Sequence, residues 1–120
     1  MIKLIGNLPD KVLAFTATGL VTSDDYRTVV IPAFNSRRAV HSMLRLLYHV
    51  PPEFKKFTTT ALWDDAQVGL HCLHDFERVA IATDVGWLRI LASELQPESP
   101  TKIRVFAHSE LDKAHDWICA

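Results

Sequence analysis

Cysteine is nearly missing from this chain: Cys72 and Cys119 stand apart, with no spaced partners. Two isolated thiols make no disulfide framework, and a reducing cytoplasm is the expected home. No apolar run approaches the ~20 residues that a membrane span needs. The opening, Met1-Ile2-Lys3-Leu4-Ile5-Gly6, is soon followed by Pro9-Asp10 and is too short for a signal peptide. An excess of one charge is missing too. Thirteen Lys and Arg face 14 Asp and Glu, for a net charge of −1. That excludes the globally basic class of nucleic-acid binders. No repeat, low-complexity segment or linker divides the chain, so residues 1–120 are expected to form one domain. A domain of this length buries roughly two-thirds of its unfolded surface and folds without staples.

What is present centres on Arg78 to Leu88. Val79-Ala80-Ile81-Ala82 is apolar without alternation, as in a strand covered on both faces. Thr83-Asp84-Val85-Gly86 then reads as a turn, with Asp84 capping the next helix and Gly86 allowing a tight bend. Ligands of open α/β sheets sit outside the carboxyl ends of such strands, which places Thr83 and Asp84 at a candidate edge.

The remaining elements follow from local pattern. Lys3–Ile5 and Val12–Thr18 read as an antiparallel edge hairpin, the second strand alternating as if one face were wet. Thr22-Ser23-Asp24-Asp25 opens a helix, and Tyr26, Val29, Val30, Ala33 and Phe34 keep helical spacing. Pro32 either kinks that helix or separates two. Leu44–Val50 is a strand stopped by Pro51-Pro52. Glu53–Phe57 reads as a loop carrying Phe54 and Phe57 around Lys55-Lys56. Thr58-Thr59-Thr60 offers caps for a helix from Ala61 to about His74. A third helix runs from Val85 to Leu95, and Gln96–Thr101 is a loop. Ile103–Ala107 is the last strand, and Ser109-Glu110-Leu111-Asp112 starts the last helix as a near capping box. The expected fold is α/β, order β-β-α-β-α-β-α-β-α: a five-stranded, mostly parallel sheet with an antiparallel edge hairpin and four helices.

Leu8-Pro9-Asp10, the run Ala61-Leu62-Trp63-Asp64-Asp65-Ala66, and Asp75-Phe76-Glu77-Arg78-Val79-Ala80 leading to Thr83-Asp84-Val85-Gly86-Trp87 occur in register along the chain. With this element order the sequence resembles the SpoIIAA-like family, also described as STAS/SEC14-like, over nearly its whole length. The resemblance implies a small cytoplasmic α/β domain related to anti-sigma-factor antagonists and, more loosely, to lipid-binding CRAL-TRIO domains. It implies ligand binding or membrane association and no established reaction. STAS-type antagonists carry a phosphorylated serine after an Asp before the second helix. Here the matching position falls within Thr58-Thr59-Thr60, with no Asp before it. A helix start welcomes phosphate, but the kinase-recognition pattern is absent.

Three constellations carry chemistry. The carboxyl edge gathers His49, Thr83-Asp84 and His108-Ser109. A Ser-His-Asp set can be written from Ser109, either histidine and Asp84, although no nucleophile-elbow pattern accompanies it and capping roles explain Ser109 and Asp84. His71 and His74 share a helix face as a weak metal pair lacking a third ligand, with Cys72 between them. The third constellation is apolar. Trp87, Leu88, Ile90, Leu91 and Leu95 wrap past one helix stripe, and Trp63 lies off the stripe of the second helix. The leading expectation is a non-enzymatic domain without cofactor that binds a lipid or other small amphipathic ligand. Trp63 and Trp87 would line the apolar crevice. Thr58, Thr59 and Thr60, with Thr83 and Asp84, would hold the polar head. Phe54, Lys55, Lys56 and Phe57 would touch a membrane surface. The alternative is a protein-interaction or signalling module switched by threonine phosphorylation, or a homodimer contact. A hydrolase or metal enzyme ranks last. Arg37-Arg38 and Lys55-Lys56 are read as solvated surface rather than nucleic-acid contacts.

Overall fold

The computed structural model describes residues 1–58, 75–95 and 101–120. Its main sheet has five strands: β1 Ile2–Leu4, β2 Val12–Ala17, β4 Leu44–Val50, β6 Phe76–Thr83 and β7 Lys102–Phe106, in the spatial order β1-β2-β4-β6-β7. β1 pairs antiparallel with β2, and every other pair is parallel. The mostly parallel sheet with an antiparallel edge is as the sequence predicts. β2, however, has no wet face. Five of its six residues are buried, because it lies inside the edge strand with packed layers on both sides. Its alternation between large and small residues is a packing pattern, not a polarity pattern.

Two short strands form a second sheet that the sequence does not predict: β3 Gly19–Val21 beside β5 Phe54–Phe57, in parallel. β5 replaces the expected loop. A register shift between Gly19 and Leu20 leaves Lys55 as an extra residue on β5. A bulge of that kind changes which side the following residues face. It allows Phe54 and Phe57, three positions apart, both to pack against the core. Gly19 has φ +58, a conformation that glycine adopts without steric penalty.

Three helical stretches lie among the described residues. The first, α1, covers 23–38: an α-turn Ser23–Asp25, a π-helical segment Tyr26–Val30 and an α-helix Ile31–Arg38. Pro32 therefore sits in the first turn of the α-helical part, directly after the π-helical segment, rather than separating two helices. It has no N–H for the carbonyl four residues back. The turn just before it widens, and the Ile31 N–H reaches Tyr26 O instead. α2 spans Gly86–Leu95 and α3 Leu111–Cys119, the latter after a 3₁₀ turn His108–Glu110. The helix expected from Ala61 to His74, and the loop 96–100, lie outside the described residues. No helix among the described residues is long and apolar enough to cross a membrane.

The sheet divides the core into two layers. Leu13, Phe15, Ala17 and Val50 face α1 and α2, meeting Tyr26, Val30 and Leu88. Val12, Ala14, Leu47, Ala80, Ala82 and Phe106 face α3, meeting Ala114 and Ile118. The small residues Ala14, Ala80 and Ala82 let α3 lie close over the strands. These two faces decide where each residue of the candidate site points.

Candidate functional site

At the carboxyl edge the strands run in register Thr16, His49, Ala82, Phe106. His49 shares the α3 face with Leu47. Packing leaves it 8% exposed. Its Nε2 is 2.9 Å from His108 Nδ1, and Thr16 Oγ1 is 3.4 Å from its Nδ1. The imidazoles are 5.1 Å apart between centroids and inclined by 6°. Rings stacked face to face at that separation could not bring two nitrogens so close. They meet edge to edge, nearly in one plane, in an N–H···N hydrogen bond. One proton occupies the gap: if His108 donates it, His49 carries its other N–H toward Thr16, and the reverse tautomer presents a bare Nδ1 to the Thr16 hydroxyl. Burial lowers the His49 pKa below its usual 6.5, the neighbouring His108 lowers it further, and Glu53 opposes both.

Asp84 ties this pair to the rest of the edge. Its Oδ1 accepts the His108 backbone N–H at 3.1 Å. The expectation that Asp84 caps the helix after it is therefore corrected. α2 begins at Gly86, one residue too late, and Asp84 instead serves the start of the last helical segment. Glu110 does the same from the other side, accepting the Ala107 N–H at 2.9 Å. This hydrogen bond holds its carboxylate below the usual range, against a smaller desolvation effect. The capping register is thus Ala107/Glu110, two residues before the predicted Ser109/Asp112. Thr83 is fully buried on the opposite face. Its Oγ1 accepts the Val85 N–H at 3.0 Å, and its carbonyl accepts Arg89 Nη1 at 2.9 Å. The turn after β6 is held by a threonine hydroxyl rather than by glycine. Gly86 has no positive φ, and a Cβ there would meet nothing within 4 Å.

The structure brings His49, Thr83, Asp84 and His108 to one edge, as predicted, but among the described residues no hydrogen-bonded Ser-His-Asp set is formed. No described hydrogen bond joins Ser109 to an imidazole. Asp84 contacts the His108 backbone, not its ring. Among the described residues no group of three or more His, Cys, Asp or Glu is placed to hold a metal. His71, Cys72 and His74 lie outside them, as do Thr59, Thr60 and Trp63.

The apolar part of the site lies on the α1/α2 face. Trp87 packs edge-on against Phe57, centroids 5.9 Å apart, and Phe57 packs against Phe54 at 4.9 Å. Trp87 is still 46% exposed, and Ile90, one helical turn on, is 62% exposed. Leu88 between them is buried, whereas the side chains of Leu91 and Leu95 lie outside the description. Phe54 and Phe57 are half-buried strand residues, not the freely exposed loop aromatics expected. Lys55 and Lys56 beside them are exposed. Thr58 leaves β5 with its N–H donated to Val21 O at 2.8 Å.

The sequence reading missed the functions of Arg37 and Arg38. Arg37 Nη1 donates to the carbonyls of Asp10 and Val12, and Arg38 Nη1 to those of His41 and Ser42. They are backbone clamps rather than free cations. Tertiary clamps of this kind have no local sequence signal.

Comparison with known proteins agrees with this architecture. The family model described as SpoIIAA-like matches residues 12–119. The chain is similar to the crystal structure of an uncharacterised protein with a SpoIIAA-like fold from Shewanella loihica PV-4. The identity is 26% and the TM-score 0.76, covering 98% of this chain and 93% of that one. No curated protein matches it.

Proposed function

This chain belongs to the SpoIIAA-like family, and from that premise we propose that it is a small, non-enzymatic binding domain whose ligand is amphipathic. The family supports a small domain in signalling or interaction. The finer reading rests on one observation: an indole packed edge-on against Phe57 remains 46% exposed, and Ile90 continues the apolar surface along α2. An exposed apolar surface beside two exposed lysines suits a molecule with an apolar body and an anionic head. Thr58 and the threonines after it, with Trp63, are the proposed head and crevice residues; Thr83 is not, since its hydroxyl is buried and engaged. Asp84 borders the site as a positioning residue. The domain works in the cytoplasm, with peripheral membrane contact through Lys55 and Lys56.

The test is mass spectrometry of molecules extracted from purified protein, together with co-sedimentation on neutral and phosphatidylserine vesicles. The expected result is a bound amphiphile or vesicle binding that Trp87→Ala weakens. Clean negatives in both arms remove the proposal and leave a protein-interaction module, which the same apolar face would also suit.

A further inference from the structure

The opposite, amino-terminal edge of the sheet carries a charge arrangement that none of this uses. Arg45, Arg78 and Lys102 sit side by side in register on β4, β6 and β7, under the C-terminal end of α3. Two of them close the helix: Arg45 Nη1 donates to Ile118 O at 3.0 Å and Arg78 Nη1 to Trp117 O at 2.9 Å. Glu77 neutralises the inner end of the row. It accepts Arg45 Nε at 2.6 Å and lies 3.8 Å from Lys11 Nζ. Arg78, Lys102 and Arg104 have no carboxylate partner among the described residues.

Arg104 is the telling member. It is exposed, and its guanidinium lies 4.9 Å from the Phe106 centroid and 5.4 Å from that of Trp117. Arg78 sits 5.2 Å from the same indole. Two like charges gathered on one ring repel each other, and an anion between or over them relieves that repulsion. The rings hold the Arg104 plane in place. None of its five N–H donors has a described acceptor. A planar fork already ordered in this way matches a carboxylate or phosphate bidentately at reduced entropic cost.

We propose that Arg104 and Arg78, both against Trp117, and Lys102, beside Arg78 on β7, form a docking surface for an acidic segment of a protein partner. The patch presents Arg78, Lys102 and Arg104, none of them paired with a carboxylate among the described residues, on a chain of net charge −1. That suits a short run of Asp and Glu. A polyphosphate backbone extends beyond the patch and meets the repulsion of the remaining surface.

A fluorescein-labelled poly-glutamate peptide, followed by anisotropy with the whole chain at low salt, tests this. Binding should weaken with added salt. Arg104→Gln should weaken it about tenfold, Arg104→Lys by less, and Lys55→Gln with Lys56→Gln not at all. The Arg104 side chain bonds no backbone group among the described residues, so its variants are expected to melt like the parent. Should Arg104→Gln fail to fold, Lys102→Gln must lower affinity in its place. Unchanged affinity in the Arg104 and Lys102 variants, or equal losses in the Lys55/Lys56 control, overturns the proposal. So does tighter Arg104-dependent binding of a single-stranded oligonucleotide or of phosphatidylserine vesicles than of the peptide. Because this surface lies at the far edge from Trp87, Trp87→Ala should leave peptide binding intact, which separates it from the amphiphile proposal.

Discussion

His49 Nε2 and His108 Nδ1 share one proton across 2.9 Å, joining the end of β4 to the start of the 3₁₀ turn that leads into α3. The pair cannot take two protons into that gap without losing its hydrogen bond. A stability dependence in the neutral range follows. His49 has its pKa lowered first by burial and then by His108. The unfolded chain therefore takes up a proton that the folded chain refuses. The contribution is full above the usual value of 6.5 and is lost as pH falls below it, down to the folded-state pKa. The urea midpoint should be lower at about pH 5.5 than at about pH 7.5. His49→Gln should flatten that difference. Equal midpoints in the parent protein would refute the assignment.

Arg45 predicts a second window. Its guanidinium is nearly buried and joins Glu77 to the α3 carbonyl. Arg45→Met keeps the stem packed but leaves Ile118 O without this donor. The expected loss is about 1–3 kcal/mol, the ion-pair share reduced because Glu77 is partly exposed. The Arg45 hydrogen bond holds the Glu77 pKa below its usual 4.5, more strongly than burial raises it. Stability from this group is present above 4.5 and disappears as pH falls through the folded value. Chemical denaturation across the acid range should show a shallower slope in Arg45→Met than in the parent.

Gly19 and Gly86 should respond oppositely to alanine. Gly19 sits at φ +58, so Gly19→Ala should destabilise by roughly 1–2 kcal/mol. Gly86 has open space and opens a helix, so Gly86→Ala should be neutral or stabilising by up to about 1 kcal/mol. Thermal melts of both variants check this. A large loss at Gly86 would contradict the geometry.

Asp84→Ala should cost about 0.5–2 kcal/mol, as for other lost caps, and should speed hydrogen exchange at the His108 amide. Asp84→Asn keeps an acceptor and should protect that amide nearly as well. Unaltered exchange in Asp84→Ala would show that the contact does not hold the corner.

How much was legible in the residues themselves depends on how local the cause is. Leu44–Val50 reads correctly as a strand because a mainly apolar run, interrupted only by Arg45 and His49 and stopped by Pro51-Pro52, has few other solutions. The gathering of His49, Thr83, Asp84 and His108 was equally legible, since parallel strands align their carboxyl ends. β5 was not legible: Phe54-Lys55-Lys56-Phe57 lacks two-residue alternation, and only pairing with β3 and a bulge makes it a strand. Asp84 shows the same limit. Its sequence position suggests a cap for its own helix, yet it serves one that begins 24 residues later.

Periodicity and turn chemistry in the sequence thus determined the parallel sheet, its antiparallel margin and the edge where polar residues collect. Tertiary structure alone decided which imidazole faces which, which carbonyls the arginines clamp and that Arg104 lies against Trp117. Backbone hydrogen-bonding patterns are written in neighbouring residues. Side-chain partnerships between distant strands depend on which face each residue occupies and on the layer packed against it.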